Sequence, residues 1–394
     1  MPNQLLHRER ADIDHKFPYL DGIRGSAILL VASGHFFLEI YFFKISWIGL
    51  NLFFVLSGYL ITRSLFQFRH YSTLGYFRNF YARRILRIFP LYYGVLIFFF
   101  FVLPLMSHRL QLYYAELDNI QSAYWLYTSN WNMITNDLPK QPIFFHFWSL
   151  AVEEQFYFVW PVLFILCNRS RSLYILIGSL LILSIVNRIN TDIPLHAYLS
   201  SLTAAEPLLL GCLLSILQKD GILNRITKQL NVAALFAAIF LCIVFLRDQD
   251  LHITNEWLMK YGYTAINIII MSVIAAVLSG HNRGWELRSL FSMKWLRWLG
   301  KYSYSIYVFH WIILQTIVYK AQAILSANLW GGSFSYLAAR IIGIALTLVI
   351  SYYSYNFFEV RFLSLKKYFV EDKRWKWSFG RVDIFLRQSK PVRP

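Results

Sequence analysis

Along the chain, long apolar blocks alternate with short polar, mostly basic stretches. Taking runs of about twenty apolar residues as membrane spans, the pattern predicts about ten, at 21–43, 47–67, 88–107, 148–167, 173–187, 199–217, 232–247, 260–279, 302–324 and 335–358. The fifth and seventh are short. The fold expected is an all-α, polytopic integral membrane bundle of about ten transmembrane helices. Around residues 20–360 stand a short N-terminal segment, 1–19, and a basic C-terminal tail, 361–394.

Charge orients these spans. The segments 1–20, 63–87, 168–172, 218–230, 281–301 and 358–394 hold 29 of the 38 Lys and Arg. With an even number of spans they all fall on one side, and the positive-inside rule makes that side, with both termini, cytoplasmic. Arg24 and Arg340 stay within or at the edge of the membrane, whereas Arg188 counts among the few outer charges. The outer loop from Met106 to Phe145 is rich in Tyr, Trp, Asn and Gln and is a candidate cap over an outward cavity. The tail interleaves Lys366, Lys367, Lys373, Arg374, Lys376 and Arg381 with Trp375 and Trp377, which suits an anionic inner leaflet.

Composition agrees with the pattern. Of 394 residues 57% are hydrophobic and 15% charged, against roughly 45–50% and 25% in soluble domains. The net charge of +17 lies between apolar runs rather than along one polar face, so it argues for membrane lipids and not for nucleic acid as the partner. Cys167, Cys212 and Cys242 share no metal-ligand spacing and read as ordinary thiols; no metal is expected. The polar, basic start (Arg8, Arg10, Lys16) and the ionisable residues inside the first apolar run are unlike a cleavable leader, so the first span is expected to be retained.

Three polar clusters interrupt the apolar blocks. In LDGIRGSAILLVASGHF, Arg24 and His35 lie eleven residues apart, about 16 Å and three helical turns, hence on one face. Arg24 snorkelling to the interface and His35 bonding a neighbouring helix would explain the pair structurally. An imidazole that exchanges a proton near neutral pH also suits a general base. In HFWSLAVEEQFY, Glu153 and Glu154 enter the fourth span. One of them is a candidate to orient His35, as a carboxylate orients a catalytic imidazole elsewhere; the alternative is interaction with the helix dipole. In RRILRIFP, Arg84 and Arg87 share a helix face at the inner boundary, suited to bidentate contacts with phosphate or to anchoring in headgroups. Glu359 and Arg361 read as an interfacial ion pair.

These segments, with FFVLSGYLI (53–61), FWSLAVEEQFYFVWP (147–161) and LGKYSYSIYVFHW (299–311), follow one another in the order of the membrane acyltransferase-3 family, which the chain resembles over nearly its whole length. Members of that family O-acylate surface polysaccharides, lipo-oligosaccharides, peptidoglycan or macrolides. The resemblance implies that His35 is catalytic, with Glu153 and Glu154 as the family's double glutamate. It also associates Arg84 and Arg87 with an acyl-coenzyme A donor, commonly acetyl-CoA, and Arg24 is a candidate to join them at the donor phosphates. EPLLLG (206–211) resembles the family's sixth-span signature but lacks the arginine often found just before it. His146, Trp148, Tyr304 and His310 are candidates to meet the carbohydrate acceptor.

The expected function is O-acylation of a carbohydrate hydroxyl by a multi-pass protein of the cytoplasmic membrane, with His35 as base. Its rivals are a transporter or flippase of a glycan intermediate, using the same ionisable groups as a proton relay, and acylation of a small molecule such as a macrolide.

Overall fold

A computed structural model describes residues 17–37, 39–40, 44–106, 120–136, 142–279, 282–328 and 332–369. The basic tail beyond 369, the first sixteen residues and parts of the long outer loop lie outside the described residues. Ten long helices carry the fold: α1 (Pro18–Phe36), α2 (Ile48–Phe68), α3 (Thr73–Met106), α4 (Phe147–Leu166), α5 (Ser170–Ile189), α6 (Ser201–Lys219), α7 (Leu223–Asp248), α8 (Leu258–Ser279), α9 (Lys294–Ala327) and α10 (Gly332–Tyr368). Among the described residues, α2 to α10 are each long and apolar enough to cross a membrane. The all-α, multi-pass bundle read from the apolar blocks is the observed architecture. In lipid, helices suit such a chain because each satisfies its own backbone polar groups.

α1, with 19 residues and so about 28 Å long, is the least apolar of the ten and lies within the bundle. It runs beside α9 in the same direction: Gly22 lies against Phe291, Gly25 against Leu296, and His35 against His310. The two backbones almost touch. A Cβ on Gly300 would stand 1.8 Å from the Asp21 carbonyl oxygen, and one on Gly25 would stand 1.9 Å from that of Leu296. This is the small-residue packing that membrane helices use where no hydrophobic effect drives them together. α2 and α6 meet in the same way through Gly58 and Gly211.

The other helices surround this centre to different depths. The most apolar stretch of α8 is 78% buried and that of α7 only 11%, so α7 shields α8 from lipid with side chains such as Leu235, Phe236 and Leu246. The described part of the long outer loop is built into the bundle. Its short helices Gln121–Trp125 and Ser129–Thr135 are held by Gln155 Nε2, which donates to Tyr127 O (2.7 Å) and Asn130 Oδ1 (2.9 Å), and by Tyr92, whose hydroxyl donates to Tyr124 O (2.8 Å).

Candidate active site

The arginines come together as their spacing suggests. Arg84 and Arg87 of α3 and Arg24 of α1 line one cavity with Ser57 of α2, Glu153 of α4 and Tyr304 of α9. Asp21 lies 3.1 Å from Arg24, three residues away on the same helix face. The Arg84 guanidinium stands 5.3 Å from the centre of the Tyr157 ring. With three cations against one wall carboxylate, the cavity is suited to an anionic ligand, and phosphate is the anion that arginine forks match best.

The glutamates belong to this cavity region and not to the histidine. Glu153 Oε1 accepts from Tyr157 Oη (2.5 Å) and from Ser57 Oγ. Glu154 Oε1 is buried without a hydrogen-bond partner. The expected pairing of His35 with a glutamate is replaced by a contact between histidines. His35 Nδ1 lies 2.8 Å from His310 Nε2, and the rings are stacked with centroids 5.1 Å apart. The register of α4 explains the difference. The residue it brings to this level is His146, whose ring centre is 5.3 Å from that of His310. Glu153 lies seven residues, about two turns or 10 Å, further along the helix.

His310 is fully buried, and its Nδ1 faces the carbonyl oxygens of Ile306 (3.0 Å) and Tyr307 (2.7 Å). His146 is buried too, with Nε2 3.1 Å from Val308 O and Nδ1 unpartnered. His35, in the last turn of α1, is only half-buried, and no described residue hydrogen-bonds its Nε2. Trp311 stands edge-on to it at 4.7 Å. Trp148, expected near the acceptor, instead packs on Tyr198, 4.8 Å between ring centres. Two positions on a helix diverge by about 200°, so when His146 faces α9, Trp148 faces away. Tyr304 lines the arginine cavity and donates to Ile88 O (2.6 Å).

One layer separates the cavity from the histidines. Tyr307 lines the cavity on one side and lies 5.5 Å from His310 on the other. Its hydroxyl bonds Ser149 Oγ and donates to His146 O (2.8 Å).

Three residues acquire roles that their sequence positions did not suggest. Arg340, read as a membrane-edge charge, is buried and donates through Nε to Phe36 O (2.8 Å). It thereby closes the C-terminal end of α1 one residue beyond His35, as a cation at a helix C-terminus does. Arg188, read as an outer charge, forms a buried ion pair with Glu206 of the sixth-span signature (3.0 Å). Glu359 does not form an interfacial pair with Arg361. A π-helical turn at Ser354–Glu359 changes the helical register, and Glu359 is buried, accepting from Ser305 (2.5 Å) and Ser354 (3.2 Å).

The profile of the acyltransferase-3 family, described as an acyltransferase domain, matches residues 17–356. The chain is 32% identical over 396 residues to "Putative peptidoglycan O-acetyltransferase YrhL" of Bacillus subtilis, covering 92% of this chain and 58% of that protein. It is 29% identical over 392 residues to "Peptidoglycan O-acetyltransferase OatA" of Listeria monocytogenes, covering 95% and 59%. The chain thus spans under two thirds of the length of these relatives. No solved structure matches it.

Proposed function

Because the chain belongs to the acyltransferase-3 family, we propose that this integral membrane protein transfers an acyl group, commonly acetyl, from acyl-coenzyme A to a hydroxyl of a cell-envelope carbohydrate. Peptidoglycan is the acceptor printed in the names of both relatives. The observation that carries the reading is the juxtaposition of a three-arginine cavity with a partly buried histidine, a single aromatic layer apart.

With both termini cytoplasmic, as the charge distribution favours, the cavity opens from the inner half of the membrane and His35 stands towards the outer half. Arg24, Arg84 and Arg87 hold the donor's phosphates, and the thioester end extends towards Tyr307. An acceptor hydroxyl approaching from outside gives its proton to His35 Nε2 as its oxygen attacks the acyl carbon. The carbon–sulfur bond breaks, and the leaving thiolate takes up the proton from His35. General-base help of this kind is worth about 10²–10⁴-fold.

The test is His35→Ala in the purified full chain. With acetyl-CoA as donor and oligomeric N-acetylglucosamine as acceptor, transfer is expected to fall to background while the variant keeps its thermal unfolding midpoint. A variant with near-normal turnover rejects His35 as the base. Transport of unmodified glycan without coenzyme A binding would reject the enzyme.

A further inference from the structure

The contact between His35 and His310 specifies where the protons sit. His310 Nδ1 faces two carbonyl oxygens, at 3.0 and 2.7 Å from Ile306 and Tyr307. A carbonyl oxygen only accepts, so Nδ1 must carry the hydrogen. In a neutral ring, Nε2 of His310 is then an acceptor. The 2.8 Å contact with His35 Nδ1 requires a hydrogen, and only His35 can supply it. That leaves Nε2 of His35 with its lone pair, on the one nitrogen of the pair that no described residue bonds. The direction of every hydrogen bond in the chain follows from the two backbone carbonyls.

We propose that His310 is a positioning residue for the transfer reaction: through Nε2 it fixes the His35 ring and its tautomer, and it accepts the Nδ1–H bond that strengthens when His35 becomes an imidazolium. This rests on His35 acting as the base. His310 occupies the place that a buried carboxylate fills in the serine-hydrolase arrangement, holding the imidazole in the productive tautomer and sharing the charge that forms. A neutral ring suits this position in a membrane, because it needs no buried counter-ion, whereas a carboxylate here would add a desolvated charge. The hydrogen bonds of His310 go to the preceding turn of its own helix, so the ring's orientation is set within α9 itself. Arg340, bonded to Phe36 O, fixes the other side of the contact.

Two measurements on the full chain in lipid bilayers test this. The first is nitrogen NMR of histidine-labelled protein, with the His35 signals assigned by their loss in His35→Ala. The resting protein is expected to show His35 and His310 both protonated at Nδ1. A His35 protonated at Nε2 overturns the proposal, whatever the activity of any variant. The second compares turnover of acetyl-CoA with oligomeric N-acetylglucosamine. His310→Phe is expected to lower kcat about 10²-fold or more with KM for acetyl-CoA within about twofold, because the arginine cavity is untouched. His310→Gln, which returns an acceptor oxygen near the Nε2 position, is expected to recover at least about tenfold of that loss. Wild-type kcat in His310→Phe, or no recovery in His310→Gln, overturns the positioning role. If His35→Ala is inactive while His310→Phe is fully active, the base survives and the positioning residue does not; an active His35→Ala removes the base itself.

Discussion

Two polar clusters inside this bundle differ in charge and in exposure. In one, Arg188 of α5 donates to Glu206 of α6 (3.0 Å), to the carbonyls of Met259 (2.7 Å) and Lys260 (2.5 Å) and to Thr264, while Asn267 donates to the second Glu206 oxygen (3.1 Å) and Asn51 to Asn267 (2.7 Å). Both charged side chains are 1% exposed. In the other, the rings of His35, His310 and His146 meet one another; His146 Nδ1 is buried without a hydrogen-bond partner, and no described residue bonds Nε2 of the partly buried His35. The ionic cluster is compensated by opposite charge and joins four helices, with Arg188 Nε and Asn51 Oδ1 buried without a hydrogen-bond partner. On the proposed reading the histidine cluster aims the lone pair of His35 Nε2. The fully buried ion pair joins helices, and the imidazole that keeps some exposure, His35, is the candidate for chemistry.

The sharpest way to break this contrast is to damage each cluster and read stability separately from turnover. Arg188→Leu leaves the Glu206 carboxylate buried and unpaired, which costs about 3–5 kcal/mol, so the variant is expected to unfold or to lose most of its thermal stability in detergent. The double variant Arg188→Leu/Glu206→Leu should regain most of it, since apolar replacement of a whole buried pair is often near neutral. His35→Ala is expected to do the reverse, leaving the unfolding midpoint in place and removing transfer. A stable Arg188→Leu protein with no turnover would instead put the ionic cluster into the reaction.

What the sequence made legible follows from the range of each signal. Apolar blocks and charge asymmetry are local, so ten helices and the grouping of Arg84 with Arg87 could be read directly, as could the shared face of Arg24 and His35. Partners across helices were not legible. His310 is 275 residues from His35, and nothing in a single chain distinguishes it from a histidine bonding a neighbouring helix. The two glutamates drew attention because adjacent carboxylates in an apolar run are conspicuous, yet depth along α4 decides which residue meets α9, and that depth depends on where the helix begins. Arg188 looked like an outer-loop charge because loop length, and not its pairing with Glu206, was all that its position displayed.

A weaker effect is expected at the arginines, and it tests whether the cavity serves a ligand or the fold. On the proposed reading Arg84→Gln removes one charge-assisted contact with donor phosphate, worth about 1.5–3 kcal/mol, so KM for acetyl-CoA should rise about 10–100-fold. KM for the saccharide acceptor should stay within about twofold of that of the wild type. Equal effects on both substrates, or a fall in the unfolding midpoint like that of Arg188→Leu, would move Arg84 from the ligand-binding side of the comparison to the structural side.

The smallest effect is expected at Tyr307, which stands between the cavity and the histidines. Its hydroxyl bonds Ser149 Oγ and His146 O, both internal partners, and its ring supplies the layer itself. Tyr307→Phe keeps the ring and removes two hydrogen bonds, each worth about 1 kcal/mol net. The unfolding midpoint should fall slightly, and kcat should stay within about tenfold of the wild type, because 1.4 kcal/mol in a barrier is one decade in rate. Steady-state kinetics with both substrates varied reads this directly. A Tyr307→Phe enzyme as inactive as His35→Ala would mean that a fully bonded hydroxyl takes part in the transfer. Partial exposure, which sets His35 apart from the buried polar groups around it, would then no longer be enough to mark the reacting group.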